Sequence, residues 1–406
     1  MSLEKLNTAL EQEINTLKSE GRAKIPERII EKFIPPQDDL GPRYKLKGYN
    51  KEFIRLNSNS YLSLSNNPEM MKEADIATMN FGVGPGAVRF IDGTFIHHAN
   101  LEKRIAEFTN KPGAKIFNSA YTTNLGLAIA ISNKKTYWIG DKLNHNSIIR
   151  AMRIANIPSP NKGIFNHNDM EDLKKCLDQV PDDMERVLVI FDGIFSMRGD
   201  CAPIDKIKKI VRQYDSKFKD GVVTIVDDSH GIGAYGDTGR GTMEHCNAVP
   251  DIIIGTFGKA FGVNGGFIAA SESIIETIRQ KADTYIYTNP LSVADCAAAI
   301  KAIDICDSAQ GIELLKNVKA RTLQFREGLK SQGKETIKGP HPVVPMLVRD
   351  TAKTHEIVRY LFENGVLVVG LTFPVVPNGD ETIRFQINAA HTEKDIEYVL
   401  NLLKNL

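Results

Sequence analysis

The sequence predicts an α/β fold in which a mainly parallel central sheet is followed by a smaller α+β domain at the C-terminal end. Between residues 115 and 270, short runs of β-branched and aromatic residues each stop at a cluster of polar residues; the runs are KIF, TYWI, VLVIF, VVTIV and IIIG. Helical segments such as NDMEDLKKCLDQV and APIDKIKKIVRQY lie between them, and this alternation is typical of buried parallel strands. After residue 296, helices alternate with short strands, which indicates the smaller domain.

These patterns divide the chain into three parts. Residues 1–55 are predicted to form an N-terminal helix and a linker segment, residues 56–295 a large domain with the ligand site, and residues 296–406 a small C-terminal domain. The N-terminal helix is amphipathic because its apolar residues recur at helical spacing, at Leu3, Leu6, Leu10, Ile14 and Leu17. The proline-rich IPPQDDLGP at 34–42 is interpreted as a link out of this helix.

The composition is that of a globular protein and excludes several functions. The 406 residues are 42% hydrophobic and 25% charged, and 51 Lys and Arg against 50 Asp and Glu leave a formal charge of +1. Without a broad basic face, the chain is not expected to bind nucleic acid. No apolar run approaches the ~20 residues that cross a bilayer, so no integral membrane segment is expected. The charged N-terminal segment is unlike a signal peptide, and we therefore expect a cytoplasmic protein.

The cysteines are predicted to be reduced thiols without a metal or redox role. They are odd in number, widely spaced and never arranged as C-x-x-C, at Cys176, Cys201, Cys246, Cys296 and Cys306. A zinc site would show closely spaced pairs of ligands. No metal site is therefore expected.

Two glycine-rich segments invite a nucleotide-binding interpretation, but neither has the context that such a site needs. GIGAYG at 231–236 follows an apolar run, yet the turn-forming DTGRGTMEH follows it in place of a helix. GVGPGA at 82–87 lacks a preceding strand, and the sequence contains no P-loop motif. A dinucleotide-binding fold is therefore disfavoured.

A lysine and an aspartate at two predicted strand ends indicate pyridoxal phosphate chemistry. Because the carboxyl ends of parallel strands meet at one crevice, Lys259 after IIIG and Asp227 at the end of VVTIV are expected to face the same ligand. A buried lysine with a lowered pKa is suited to form a Schiff base. A buried carboxylate needs a cationic partner, such as a protonated pyridine nitrogen. Lys259 alone would more often be a solvated surface lysine, and its pairing with Asp227 favours the cofactor.

Further polar residues suit the remaining parts of such a cofactor and its substrate. His145 and His230 follow different strands, and an imidazole can stack on a heteroaromatic ring or hydrogen-bond its oxygen, although each could instead be structural. A phosphate needs N–H and hydroxyl donors, and the candidates are Ser119, Ala120, Tyr121, Thr256 and Thr288. Arg384 lies in a short C-terminal strand, where it forms either an exposed salt bridge or a bidentate contact with a substrate carboxylate.

Ordered motifs from Asn57 to the end resemble those of the α-oxoamine synthases, a family of pyridoxal phosphate enzymes. The motifs are NSNSYLSLSNNP, VRFIDGTFIHHANLE, DKLNHNSII, DGIFSMRGD, VDDSHGIGAYGDTGRG, GTFGKAFG and IRFQINAAHT. The resemblance implies the aspartate aminotransferase-like fold, also called fold type I. It further implies a homodimer with active sites at the interface.

The resemblance assigns catalytic roles to matching residues of this chain. Lys259 would hold the cofactor covalently, and Asp227 would pair with its pyridine nitrogen. His145 would stack on the ring, while His230 would hydrogen-bond the phenolic oxygen with Ser196 beside it.

It also assigns the phosphate and substrate contacts. The phosphate and ring site would be lined by Ser119, Ala120, Tyr121 and Thr256. Thr288 would reach the phosphate held by the neighbouring subunit. Asn59 and Arg384 would position the amino acid substrate, and Arg384 would bind its carboxylate.

The implied activity is condensation of a small amino acid with an acyl-CoA, which releases CoA and gives an α-amino ketone or a 2-amino-3-oxo acid. VRFIDGT, VDDSH and YTNPLS look most like glycine C-acetyltransferases, also called 2-amino-3-ketobutyrate CoA ligases, so glycine and acetyl-CoA are favoured. NSNSYL and the GTF start look more like serine palmitoyltransferases. The alternatives are therefore serine palmitoyltransferase or 8-amino-7-oxononanoate synthase activity and, less favoured, aminotransfer. A non-catalytic subunit is disfavoured because the lysine, the aspartate and both histidines are present.

Overall fold

The computed structural model describes residues 2–155, 157–373, 375–404 and 406. Its strands are β1 (Ile30–Ile34), β2 (Arg43–Leu46), β3 (Glu52–Arg55), β4 (Gly113–Phe117), β5 (Thr136–Asp141), β6 (Lys162–Phe165), β7 (Arg186–Asp192), β8 (Val222–Asp227), β9 (Ile252–Thr256), β10 (Gly266–Ala270), β11 (Val343–Leu347), β12 (Val366–Leu367), β13 (Val369–Leu371) and β14 (Thr382–Gln386). Its α-helices are α1 (Ser2–Ser19), α2 (Pro68–Phe81), α3 (Ile96–Thr109), α4 (Ala120–Ile131), α5 (Asn146–Ile154), α6 (Met170–Asp178), α7 (Ile204–Val211), α8 (Thr242–His245), α9 (Glu272–Lys281), α10 (Asp283–Ile286), α11 (Val293–Cys306), α12 (Ala309–Ser331), α13 (Thr351–Glu363) and α14 (Glu393–Lys404). Among these residues, no helix combines the length and the apolar character needed to cross a membrane.

The central sheet has seven strands in the order β4-β10-β9-β8-β7-β5-β6. The strands from β9 to β6 in this order pair in parallel, whereas β10 runs antiparallel to both of its neighbours. The predicted mainly parallel sheet is therefore confirmed, and the predicted apolar runs lie in β4, β5, β7, β8 and β9. The sequence pattern did not predict β6 (KGIF) or β10 (GFIAA), because glycine and alanine stand where the other strands carry β-branched residues.

Helices cover both faces of this sheet, which explains why its strands are continuously apolar. In β7, Val187 and Val189 point into one apolar cluster, whereas Leu188 and Ile190 point into another. Helices α3, α6, α7 and α11 contribute to the first cluster, and α4, α5 and α9 to the second. Full burial of each such side chain stabilises the fold by about 1.5–3 kcal/mol. With both faces covered, the carboxyl edge of the sheet is the surface left for a ligand.

Residues 30–55 correct the linker prediction. Helix α1 covers Ser2–Ser19 as predicted, but β1, β2 and β3 then form an antiparallel sheet to which β12 adds in parallel. The IPPQDDLGP segment at 34–42 connects β1 to β2, so it is not a link out of the helix. Charged residues interrupt the apolar pattern in IEKFI and RYKL, and the strands are therefore hard to predict. The division of the chain at residues 55 and 295 remains a prediction.

The C-terminal part of the chain carries a three-stranded antiparallel sheet in the order β11-β14-β13. Apolar side chains from α12, α13 and α14 pack against it. In β14, Ile383 and Phe385 point into this apolar cluster. Because strand side chains alternate, Arg384 between them points to the opposite face. There it faces the carboxyl edge of the central sheet.

All five cysteines are free thiols. Burial raises the pKa of Cys296 and of Cys306 to about 12, so these thiols are inert at neutral pH. The Sγ atoms of Cys201 and Cys246 lie 3.8 Å apart without a bond between them. The prediction of reduced cysteines agrees with this arrangement.

Candidate active site

Lys259 lies in the tight connection between β9 and β10, at the carboxyl edge of the central sheet. The N–H of Gly262 donates to the Lys259 carbonyl at 3.0 Å, and that of Val263 donates to the Phe257 carbonyl at 3.0 Å, so backbone hydrogen bonds close the connection. Burial lowers the pKa of Lys259 to about 8, although the negative charge of Asp227 opposes the shift. A lysine with this pKa has a substantial neutral fraction near pH 8 and can attack an aldehyde.

Asp227 and Asp192 end neighbouring parallel strands and stand in register. Asp227 Oδ2 accepts a hydrogen bond from Asn124 Nδ2 at 2.7 Å, and its Oδ1 accepts one from the Ser229 N–H at 3.1 Å. Burial and the neighbouring Asp227 charge raise the pKa of Asp192 well above its ordinary value, although the His145 N–H donates to Asp192 at 2.9 Å. Two adjacent buried carboxyl groups do not ionise together readily. Asp192 is therefore the carboxyl group whose charged form this pairing disfavours.

His145 and His230 both lie within electrostatic reach of Lys259. His145 caps the N-terminus of α5 and is exposed to solvent in this chain. Desolvation lowers the pKa of His145, with the Asp227 charge opposing and the Lys259 charge adding to the shift. His230 is buried, and burial followed by the Lys259 charge holds its pKa well below the usual value. Both imidazoles are consequently neutral at pH 7.

The N-terminus of α4 offers backbone donors at the same edge of the sheet. Ser119 is the N-cap, and its Oγ accepts a hydrogen bond from the Thr122 N–H at 3.1 Å. The N–H groups of Ala120 and Tyr121 occupy the first two helical positions, where no intrahelical acceptor exists. A Cβ atom at Gly266 would lie 2.2 Å from the Ala120 nitrogen, so only glycine lets β10 approach this closely. Such a helix start is suited to bind a phosphate.

Thr256 and Thr288 differ in their relation to this helix start. Thr256 ends β9 and donates its hydroxyl proton to the Gly265 carbonyl at 2.9 Å, while Gly265 also bridges to Ser119. Thr256 therefore lies beside the N-terminus of α4, as expected. Thr288 follows α10 and donates to the Thr284 carbonyl at 2.7 Å. Its contact with a neighbouring subunit remains a prediction.

Arg384 reaches the crevice from the C-terminal sheet. Its Nη1 donates to the Ser196 carbonyl at 3.0 Å, which ties the loop after β7 to β14. Burial lowers the pKa of Arg384, with Tyr61 opposing, and no carboxylate of the described residues pairs with it. The exposed salt bridge is therefore not found, and part of the guanidinium remains for a ligand carboxylate. Asn59 lies nearby, where its Oδ1 accepts a hydrogen bond from Gln386 Nε2.

His167 holds the loop that carries Ser196. Its Nδ1 lies 3.1 Å from Asp141 Oδ1, and its Nε2 lies 3.0 Å from Asp200 Oδ2. Burial opposes the charged imidazolium, but the hydrogen bonds with Asp141 and Asp200 outweigh it and raise the pKa of His167 to about 9. The doubly paired imidazolium therefore joins the end of β5 to the loop after β7.

We expect His167→Gln to destabilise the fold by about 2 kcal/mol at a pH of about 6 and by much less at a pH of about 10. The folded-state pKa of about 9 exceeds the ordinary 6.5, so the stabilisation is fully present below 6.5 and is lost as the pH rises through 9. Urea unfolding at both pH values measures the difference. His355→Gln, on the exposed surface of α13, is the control. Equal destabilisation at the two pH values would contradict the assignment.

The sequence did not single out Asp192, Asn124 or Tyr61. Asp192 begins the polar cluster DGIFSM and Asn124 ends NSAYTTN, so the strand-end pattern already contained a signal for both. Tyr61 contacts His230 across 169 positions of the chain. The local sequence NSNSYLSLS around this tyrosine does not indicate that contact.

These groups fit pyridoxal phosphate. The N–H groups at the start of α4 match the phosphate, the Asp227 carboxyl group matches a protonated ring nitrogen, and Lys259 matches the aldehyde. They follow β4, β8 and β9, which end at one edge of the sheet. One molecule with these three features can therefore engage all of them.

Comparisons with known proteins agree with this site. The chain matches the family described as aminotransferase class I and II over residues 51–403. It is 36% identical over 382 residues to the 8-amino-7-oxononanoate synthase of Thermoanaerobacter pseudethanolicus, covering 93% of both chains. It is 34% identical over 400 residues to the Bacillus pumilus protein of the same name, covering 98% of this chain and 96% of that one. A serine palmitoyltransferase from S. paucimobilis, solved with a bound PLP–myriocin aldimine, is similar with a TM-score of 0.86 and 26% identity, covering 98% of this chain and 96% of that one.

Proposed function

The chain belongs to the class I and II aminotransferases, within the α-oxoamine synthases that use pyridoxal phosphate on the type I fold, and from this premise we propose that it condenses L-alanine with heptanedioyl-CoA. The observation that carries the proposal is the 36% identity, over 93% of both chains, to a protein named 8-amino-7-oxononanoate synthase. This finding favours the alternative over glycine and acetyl-CoA, the pair suggested by the motifs.

The product in that name defines the proposed chemistry. 8-Amino-7-oxononanoate carries a carboxylate at C1, a ketone at C7 and an amine at C8. Joining the heptanedioyl group to Cα of alanine forms the C7–C8 bond and releases coenzyme A. Loss of the alanine carboxylate as carbon dioxide then gives the nine-carbon product.

A cavity of about 490 Å³ beside the Lys259 connection supports an acyl donor with a polar end. Met70 and Met71 contribute to its lining. Much of the rest consists of amide and hydroxyl side chains, at Asn57, Ser58, Asn59, Ser60 and Ser65. Arg55 adds a positive charge to this lining, and Asp295 adds a negative one. A distal carboxylate finds donors here, whereas a long alkyl chain would leave many of these polar groups unsatisfied.

The residues of the chain then have distinct tasks. When bound, pyridoxal phosphate withdraws electrons from Cα of an amino acid joined to its aldehyde. Lys259 Nζ would accept the Cα proton of the amino acid, a role that its lowered pKa suits. Asp227 would keep the ring nitrogen protonated, and His145 would stack on the ring. Arg384 binds the alanine carboxylate and thereby orients Cα.

The proposal includes a homodimer. Large apolar side chains are exposed in two segments of the chain. The first segment carries Met79, Val83, Phe90 and Ile91, and the second carries Tyr287. The two segments are neighbours, because the Arg89 guanidinium lies 5.3 Å from the centre of the Tyr285 ring. Exposed apolar side chains gathered in this way are typical of a protein–protein contact surface. A partner on this surface would lie next to Thr288.

We expect thiol release from the cofactor-loaded chain to be at least about tenfold faster, in kcat/KM, with L-alanine and heptanedioyl-CoA than with any other pair tested. The pairs combine alanine, glycine or serine with heptanedioyl-, acetyl- or palmitoyl-CoA. A thiol reagent follows the release of CoA, and reactions without the amino acid correct for hydrolysis. The distal carboxylate is the reason for the expected preference, because among the three acyl groups tested only the heptanedioyl group brings a charged end to the polar lining of the cavity.

Other outcomes of this comparison identify other functions. Fastest release with serine and palmitoyl-CoA would establish the second candidate, which the 26% identity to serine palmitoyltransferase over 98% of the chain supports. Fastest release with glycine and acetyl-CoA would restore the motif-based expectation. Transfer of the amino group to 2-oxo acids, without thiol release from any pair, would replace the proposal with aminotransfer.

A further inference from the structure

Tyr61 contacts the Nδ1 edge of the His230 ring. The Tyr61 hydroxyl lies 2.7 Å from His230 Nδ1, and the tyrosine is fully buried. On the same side, His341 Nε2 lies 2.9 Å from the His230 carbonyl and fixes the backbone of this residue. In the part of the chain that the structure describes, His230 Nε2 has no hydrogen-bond partner. That nitrogen is therefore the one left for a ligand.

The two contacts of the Tyr61 hydroxyl differ in length, and this difference indicates which atom donates. The hydroxyl has one proton, and its 2.7 Å contact with His230 Nδ1 is shorter than its 3.3 Å contact with Asn59 Oδ1. Asn59 Oδ1 already accepts a hydrogen bond from Gln386 Nε2. We assign the tyrosine proton to the shorter of the two contacts, in which His230 Nδ1 accepts it. A neutral imidazole that accepts at Nδ1 carries its own proton on Nε2.

We propose that Tyr61 is a positioning residue that holds His230 in the Nε2–H tautomer, so that His230 presents a hydrogen-bond donor to the phenolic oxygen of bound pyridoxal phosphate. The opposite tautomer would point a lone pair at this oxygen and repel it. Asn59 and Gln386 support the tyrosine, because their mutual hydrogen bond occupies one of the two lone pairs of Asn59 Oδ1, the competing acceptor. Tyr61 acts through His230 and touches neither cofactor nor substrate.

The first test observes the tautomer itself. Nitrogen NMR of the holoenzyme labelled with ¹⁵N-histidine distinguishes protonated from unprotonated ring nitrogens, and the His230 signals are those missing from His230→Gln. The expected wild-type result is a protonated Nε2 and an unprotonated Nδ1, and in Tyr61→Phe a mixture of both tautomers. A protonated Nδ1 in the wild-type protein would overturn the proposal, whether or not the variant folds. So would an unchanged tautomer in Tyr61→Phe.

Tyr235→Phe is the matched control. The Tyr235 hydroxyl is also buried but has no hydrogen-bond partner among the described residues, and its ring lies 5.7 Å from the same His341 ring. This variant removes a buried hydroxyl without removing a donor to His230. The His230 nitrogen signals and the absorbance of the bound cofactor should be those of the wild type. If Tyr235→Phe changes them as much as Tyr61→Phe does, the proposal fails.

A double-mutant cycle tests whether Tyr61 acts through His230. Tyr61→Phe is expected to weaken cofactor binding and to lower kcat by about 10- to 100-fold. Glutamine at position 230 has no tautomer to select, so Tyr61→Phe should cause less than about a threefold further loss in His230→Gln. An equal loss in both backgrounds would show a merely structural tyrosine. The tautomer and cofactor binding need no substrate, so these readouts stand even if the proposed substrates are wrong.

Discussion

Lys259→Ala is expected to abolish covalent attachment of pyridoxal phosphate and to lower turnover by more than about a thousandfold. Alanine supplies neither the amine that joins the aldehyde nor the base that accepts the Cα proton. Burial lowers the pKa of Lys259 to about 8. The connection between β9 and β10 has no second lysine after Lys259 that could replace it, because the next lysine in the sequence is Lys281. The fold should persist, because backbone hydrogen bonds from Gly262 and Val263 close the connection.

Borohydride reduction followed by peptide mass spectrometry measures the attachment, and thiol release measures turnover. In the wild type, the cofactor mass should appear on the peptide that contains Lys259 and disappear in the variant. Lys142→Ala is the control, because Lys142 also follows a strand of the central sheet but is exposed. It should retain both properties. Wild-type turnover in Lys259→Ala, or attachment at another lysine, would contradict the assignment.

Asp227→Asn is expected to lower kcat by about 10²–10⁴-fold, whereas Asp192→Asn should lower it by less than about tenfold. The two carboxyl groups stand in register on β8 and β7, yet their surroundings differ. Asp227 accepts hydrogen bonds from Asn124 and Ser229, which stabilise its negative charge. Burial and the neighbouring Asp227 charge raise the pKa of Asp192, so asparagine replaces a group whose charged form is already disfavoured. Only the first substitution removes the charge that keeps the cofactor nitrogen protonated.

The comparison is made with both variants saturated with cofactor, and circular dichroism verifies that each is folded. The absorbance of the bound cofactor reports the protonation of its ring separately from turnover. Asp227→Asn should change this spectrum, and Asp192→Asn should leave it near that of the wild type. If the two variants lose activity equally, the assignment of different roles to Asp227 and Asp192 is wrong.

The central sheet could be predicted from the sequence because its strands are buried on both faces. VLVIF and VVTIV are continuous apolar runs that end at polar residues, and that pattern is local. β1 and β2 lacked such a signal, because IEKFI and RYKL mix charged and apolar residues on a partly exposed sheet. Their pairing, and that of β3 with β12 more than 300 positions away, depends on tertiary contacts.

The candidate site was predictable to the extent that its residues follow strands. Lys259, Asp227, His145 and His230 were found in this way, and the structure brings them together. Tyr61 lies far from His230 in sequence, so no local pattern indicates that its hydroxyl meets Nδ1. The raised pKa of Asp192 also required the structure, because it follows from burial and from the strand register that places Asp192 beside Asp227. Residue identities are local, whereas hydrogen-bond partners and pKa shifts depend on packing.

One reaction tests the proposed condensation most directly. The cofactor-loaded chain is given L-alanine labelled with ¹³C at its carboxyl carbon, together with heptanedioyl-CoA. Free thiol, labelled carbon dioxide and the amino ketone are then measured in the same sample. The account predicts one thiol and one labelled carbon dioxide for each molecule of amino ketone formed. Amino-group transfer to a 2-oxo acid, with the label retained and no thiol released, would contradict it.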